Sequence, residues 1–263
     1  MQLVTLTTDW GSGDPYVASF VGDLLRQDVS IRIEHISHDL PKDDLLSAAF
    51  FTISTFHHFP KGTVHFIGHE VAGVHQFNKA SVYLIARFQE HFFVGADSGI
   101  FSMAFQGRNF ECWKPEIPKG MHLRQLFEKL AETIVSLSRG KDPSTLGEPY
   151  TDLVQNHFTR PTSDPSGIRC SVLYIDSHGN AIFNLNRSVF EKERNGRPFT
   201  ILVRKATYKI GRISNHYNEV ETGDILALFN QNDFLEIALN KDNAAKLIGF
   251  KVYDSILIEF HDN

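Results

Sequence analysis

The side chains best suited to chemistry fall in a few short stretches, and the first lies at the start of the chain. Leu3 to Thr7 is an apolar, strand-like run that leads into Asp9, a turn with Gly11 and Gly13, then Asp14 and a helical pattern opening at Pro15. A strand, loop and helix junction with two carboxylates suits a polar small molecule, because open α/β sheets bind ligands beyond the carboxyl ends of their strands. Asp9 stands just before the loop, where a carboxylate can accept both hydrogens of a ribose diol. Asp14 followed by Pro15 also reads as a helix cap and first helical residue, so capping is the alternative role for Asp14. GSGD lacks the third glycine of a GxGxxG fingerprint, which argues against a dinucleotide pyrophosphate.

Further along, His65, His69, Glu70 and His75 raise the question of a three-ligand zinc site. Their spacing matches no established motif such as HExxH, and no metal is expected. A serine hydrolase is disfavoured because no GxSxG elbow occurs. His122 immediately precedes a helical pattern from Leu123 to Ser138. The positive end of a helix favours the neutral imidazole, the form able to accept a proton. Asp176 and Asn180 lie in IDSHGN, and Asn230 and Gln231 open NQNDFLEIALN. Either stretch is equally well explained as a hairpin turn.

The elements that would position these residues alternate through the first half. Strand patterns at Leu3–Thr7, Ile31–Ile36 and Thr63–Ile67 are separated by helical ones, and Val82–Ala86 with Phe92–Val94 read as a hairpin or adjacent strands. A short helix from Ile100 to Phe105 follows, then a loop over Glu111–Gly120. The expected fold is an α/β N-terminal domain, a mostly parallel sheet with helices on both faces. Pro161, Ser163, Pro165, Ser166 and Gly167 mark a linker, after which short strands at turn spacing predict an all-β, barrel-like C-terminal domain. The boundaries are residues 1–158, a linker at 159–169, and 170–263.

The 263 residues are 42% hydrophobic and 22% charged, ordinary globular values, and 22 are Phe, which are expected to pack the core. A net charge of -5 without a Lys/Arg run argues against nucleic acid and anionic membrane as partners. The absence of a signal-like leader and a count of only two cysteines, Cys112 and Cys170, suggest a cytoplasmic protein.

Together these stretches resemble the S-adenosyl-L-methionine hydroxide adenosyltransferase family, relatives of the bacterial fluorinase and chlorinase. TLTTDWGSGDPYV is similar to the family's TDFGxxDxYV opening and HISHDLPKDDLLSAAF to its DITHxIPPxDIxxGA segment. FPKGTVHF, FVGADSGIFS, YIDSHGNAIFN and DFLEIALNKDNAA follow in the family's order. The resemblance implies hydrolysis of S-adenosyl-L-methionine to adenosine and methionine by a homotrimer with sites between neighbouring subunits and no cofactor. It implies that Asp9 binds the ribose hydroxyls, that Asp14 and Asp176 lie near the methionine end, and that Asn180 reads the adenine edge. Tyr217 would stack on adenine, Asn230 and Gln231 would meet the methionine carboxylate, and the matched motifs add Tyr16 and Asp97 to the substrate contacts.

The family activates water with an Asp and an Arg from a DPGVGTxR loop and a His from an HGRD segment. His122 stands at the His position, with Arg124 at the arginine that follows it. The loop differs: Glu70 takes the Asp position and Phe77 the Arg position, with His69 and His75 nearby as possible donors. Loss of that cation makes a binding protein that no longer turns its nucleoside over the competing expectation. Halide transfer is not expected, because Phe77 to Phe92 is short and Leu123 occupies the halide-site serine position.

Overall fold

The computed structural model describes residues 2–69, 82–118, 121–204 and 206–262, which divide into two compact units, Met1–His157 and Phe158–Asn263. The first unit runs β1 (Leu3–Thr8), α1 (Pro15–Gln27), β2 (Arg32–Ser37), α2 (Leu45–Thr55), β3 (Val64–Gly68), β4 (Tyr83–Phe88) and β5 (His91–Ala96). It continues through α3 (Ile100–Ala104), β6 (Glu111–Pro115), α4 (Leu123–Ser138) and β7 (Gly147–Pro149). Its seven strands form one sheet in the order β2-β1-β3-β5-β4-β6-β7.

The expectation of a mostly parallel sheet is corrected to a mixed one. β2, β1, β3 and β5 are parallel neighbours, whereas β5–β4, β4–β6 and β6–β7 are antiparallel. The reason is loop length. Only Gln89 and Glu90 separate β4 from β5, both at positive φ (49° and 64°), and a two-residue turn can join only antiparallel strands. The stretch read as a loop from Glu111 begins as strand β6, with Pro115 at its end and pairing on both sides.

Alternation sorts the central strands' side chains. Val4 and Leu6 of β1, Val64 and Phe66 of β3 and Val94 of β5 pack with Phe20 and Leu24 of α1 and Phe127, Leu130 and Ile134 of α4. Full burial of each such large side chain is worth roughly 1.5–3 kcal/mol. Thr5, His65 and Phe93 point the other way. The Thr5 hydroxyl meets His65 Nδ1 at 2.8 Å, His65 Nε2 lies 3.0 Å from His91 Nδ1, and the His65 ring stacks on Phe93 at 4.9 Å. Burial, then the neighbouring His91, holds the His65 pKa down to about 3.

The second unit comprises β8 (Thr162–Asp164), β9 (Gly167–Ile175), β10 (Ala181–Asn186), α5 (Arg187–Arg194), β11 (Phe199–Val203) and β12 (Tyr208–Ile210). After these come β13 (Ile225–Phe229), β14 (Phe234–Leu239), α6 (Ala244–Ile248) and β15 (Ser255–Phe260). The strand order is β12-β11-β15-β9-β10-β14-β13, with antiparallel pairing throughout and β8 added beside β9. Just past β12, Ser214 N–H donates to Ala227 O at 2.7 Å, which draws the two ends of the sheet together into a nearly closed barrel. Inward residues such as Ile168, Val172, Phe183, Ile201, Leu235, Ile237 and Ile258 fill it.

Two corrections follow. The unit is not all-β, because α5 and α6 interrupt the strands, and part of the predicted linker, 162–164 and 167–169, is strand. Cys112 and Cys170 are buried free thiols. Among the described residues, no helix is long and apolar enough to cross a membrane.

Candidate active site

In the first unit the carboxyl ends of β1, β3 and β5 lie side by side. Thr8 pairs with Gly68, and Ile67 with Gly95. α1 leads from β1 to β2 on one flank, and α2 leads from β2 back across to β3 on the other, so the strand order reverses between β1 and β3. Such a reversal opens a crevice at the strand ends. Thr5, His65 and Phe93 form one register row across the three strands. Asp9, His69 and Asp97 are the first residues after β1, β3 and β5.

Asp9 is half-buried at the mouth of the loop. The loop is held from the β2 side: Gly11 N–H donates to His38 O at 2.7 Å, Ser12 N–H to Asp39 Oδ1 at 3.0 Å, and the Ser12 hydroxyl to Asp39 Oδ2 at 2.5 Å. Those Ser12 bonds hold the Asp39 carboxyl below its usual range. The Thr8 hydroxyl and His38 Nδ1 are 2.8 Å apart, and His38 Nε2 lies 2.6 Å from His35 Nδ1. Burial, then His35, lowers the His38 pKa. Asp14 takes the N-cap conformation of α1 but makes no side-chain cap hydrogen bond, so capping does not occupy its carboxylate. Its Oδ2 would lie 3.2 Å from a Cβ on Gly11, whose φ is +83°. Tyr16, at the start of α1, is 41% exposed.

Asp97 accepts the Val154 N–H at 3.2 Å to each oxygen, and burial raises its pKa. Trp10 stacks on Phe127 at 4.9 Å, which sets the Asp9 loop against α4. His122 is the exposed N-cap of that helix, five residues before Phe127, and its N–H donates to Gln125 Oε1 at 3.2 Å. Arg124 turns along the helix to Glu128 at 3.2 Å. An exposed pair at this spacing is worth about 0.3–0.5 kcal/mol, so little holds the guanidinium there. Glu70 and the rest of the altered loop, including His75, Gln76 and Phe77, lie outside the described residues.

Of the four zinc candidates, Glu70 and His75 lie outside the described residues, and His65 lies in β3 with His69 just past its end. Both His65 nitrogens are already in hydrogen bonds. Among the described residues, no group of three or more His, Cys, Asp or Glu side chains is arranged to hold a metal.

In the second unit the turn reading holds for two predicted residues, and it also builds a polar cluster. Asp176 Oδ1 accepts from His178 N–H at 2.9 Å and Asn180 N–H at 2.8 Å, and its Oδ2 accepts from Asn180 Nδ2 at 3.0 Å. Asn230 Oδ1 accepts from Asn232 N–H at 3.0 Å and Phe234 N–H at 3.2 Å, closing the β13–β14 hairpin, while Gln231 is exposed at its tip. The Tyr217 hydroxyl donates to Glu236 Oε1 at 2.6 Å, and the ring stays 43% exposed.

Glu236, 3% exposed, was missed by the sequence reading and is the centre of this cluster. Besides Tyr217, the Asn230 side chain hydrogen-bonds to it and Asp176 repels it. Burial first, then Asp176, raises its pKa, and burial first, then Glu236, raises that of Tyr217. A carboxylate in the middle of the apolar FLEIAL strand was the available signal.

Residues 4–147 match the SAM hydroxide adenosyltransferase N-terminal domain and residues 170–257 its C-terminal domain. A relative from Methanocaldococcus jannaschii named (R)-S-adenosyl-L-methionine hydrolase is 24% identical over 98% of this chain and 96% of its own length. A protein of the same name from Thermus thermophilus is 26% identical over 95% of this chain and 97% of its own. The fold matches the crystal structure of an uncharacterized conserved protein from Thermotoga maritima with a TM-score of 0.84 at 20% identity, covering 97% of this chain and 99% of that one. A conserved hypothetical protein from Thermus thermophilus superposes with a TM-score of 0.75 at 24% identity, over 99% of this chain and 100% of that chain. With both family domains matched in order along most of its length, the chain belongs to the SAM hydroxide adenosyltransferase family.

Proposed function

We propose that this protein hydrolyses S-adenosyl-L-methionine to adenosine and L-methionine by attack of water at the ribose C5′. The observation that carries the reading is the match of both family domains in a chain whose full-length relatives bear the name (R)-S-adenosyl-L-methionine hydrolase. The carboxylates just beyond β1 and β5, Asp9, Asp14 and Asp97, support it, since a sulfonium nucleoside offers a diol and a cation.

The chemistry asks little of the leaving group. Water forms a bond to C5′, the C5′–S bond breaks with its electron pair going to sulfur, and methionine departs as a neutral thioether that needs no proton. Catalysis therefore rests on in-line placement, worth ~7–11 kcal/mol in favourable cases, and on removing the water's proton, worth ~100-fold or more. In this proposal His122 is the base and Glu70 orients it, with Arg124 freed from its weak Glu128 pair as a donor. Asp9 holds the ribose diol, with Asp14, Tyr16 and Asp97 along the same crevice. The second unit's Tyr217 and Asn180 are assigned to adenine, and Asp176, Asn230 and Gln231 to the methionine end.

A reaction in ¹⁸O-labelled water tests the route. Label is expected on the 5′ oxygen of adenosine, with the rate reduced ~10²–10⁴-fold in His122→Ala. Unlabelled adenosine, or an unchanged His122→Ala rate, would contradict it. The assembly carried with this reading is a homotrimer with sites between neighbouring subunits. Light scattering should give three times the chain mass, and a monomer would remove that part.

A further inference from the structure

Buried polar atoms without partners are rare, and each calls for an explanation. Among the described residues, five side-chain atoms are in this state: Trp10 Nε1, Ser54 Oγ, both ring nitrogens of His69, and Ser98 Oγ. Four of the five sit one or two residues beyond the carboxyl ends of β1, β3 and β5. His69 is the extreme case: it is 2% exposed and neither nitrogen has a partner. It directly follows β3, whose neighbours on either side, β1 and β5, lead directly into Asp9 and Asp97.

We infer that His69 is an additional ligand-binding residue of this crevice, hydrogen-bonding the ribose hydroxyls of a nucleoside. The inference rests on the nucleoside reading above and adds a residue to it. A carboxylate only accepts, so a diol held by Asp9 spends both its hydrogens on that side chain and leaves its oxygen lone pairs unmet. A neutral imidazole carries one N–H donor and one acceptor nitrogen, and its donor completes the diol. The buried His65 imidazole, four residues earlier in β3, has both nitrogens engaged, so burial of a histidine in this unit does not by itself leave nitrogens unmet. Binding thus supplies the hydrogen bonds that the ligand-free fold withholds from His69.

Calorimetry with adenosine and 2′,3′-dideoxyadenosine on the wild-type chain, His69→Leu and His69→Gln tests this, alongside thermal unfolding without ligand. His69→Leu is expected to weaken adenosine at least tenfold and leave dideoxyadenosine binding unchanged, with His69→Gln recovering part of the loss. Its ligand-free melting temperature should equal or exceed the wild-type value, because an unmet polar group has been removed. Wild-type adenosine affinity in His69→Leu, equal losses for both nucleosides, or a lowered melting temperature would each overturn the inference. A wild-type chain that binds neither nucleoside would instead overturn the nucleoside reading on which it rests.

Discussion

At the scale of single residues, burial makes two groups unlike their free forms. His65 is folded as a neutral ring with its pKa near 3 against an ordinary value of 6.5. The unfolded chain therefore binds more protons between these values, so the stability His65 contributes is complete above pH 6.5 and is lost as the pH falls. By pH 5 the loss is about 2 kcal/mol. Urea unfolding at pH 7 and pH 5 should show a smaller drop in His65→Gln than in the wild-type chain, and equal drops would refute this assignment. Glu236 has the opposite sign: its raised pKa makes it a group whose favourable contribution is lost as pH rises through its folded value. Asp9's place before a glycine loop and Asp176's place in a turn were legible from the sequence, whereas Asn230 entered only through the family resemblance. His69 and Glu236 drew less notice because their significance lies in burial, which depends on packing remote in sequence.

Among the elements, those whose signals are local were read almost to the residue. α4 spans Leu123–Ser138 as expected, because its buried Phe127, Leu130, Ala131, Ile134 and Val135 recur at helical spacing. β6 was missed because Pro115 and the nearby Pro118 suggested loop, yet edge-proximal pairing tolerates a terminal proline. α5 escaped because RSVFEKER buries only Phe190. The β4–β5 hairpin was anticipated, but the further antiparallel pairs escaped because neither β6 nor the three-residue β7 was read as a strand. The start of α3 shows how tightly the strand-end crevice is built. Gly99 has φ +92°, and a Cβ there would come 2.2 Å from Asn156 Nδ2, the amide that donates to Ser98 O. Gly99→Ala should therefore cost ~1–3 kcal/mol in urea unfolding, and a change below 0.5 kcal/mol would mean the segment carrying Asn156 yields freely.

For the whole molecule, the order of motifs conveyed more than any one of them. Two units, a mixed sheet followed by a nearly closed antiparallel barrel, follow the family's two domains. On the proposed reading, Glu70 and Phe77 stand where the family's water-activating loop carries Asp and Arg. That departure makes turnover itself the central question. Purified protein incubated with S-adenosyl-L-methionine, with adenosine and methionine followed by chromatography, answers it directly. The account predicts the two products in equal amounts, accumulating over many turnovers per chain. Calorimetric binding of S-adenosyl-L-methionine with no product formed would contradict it.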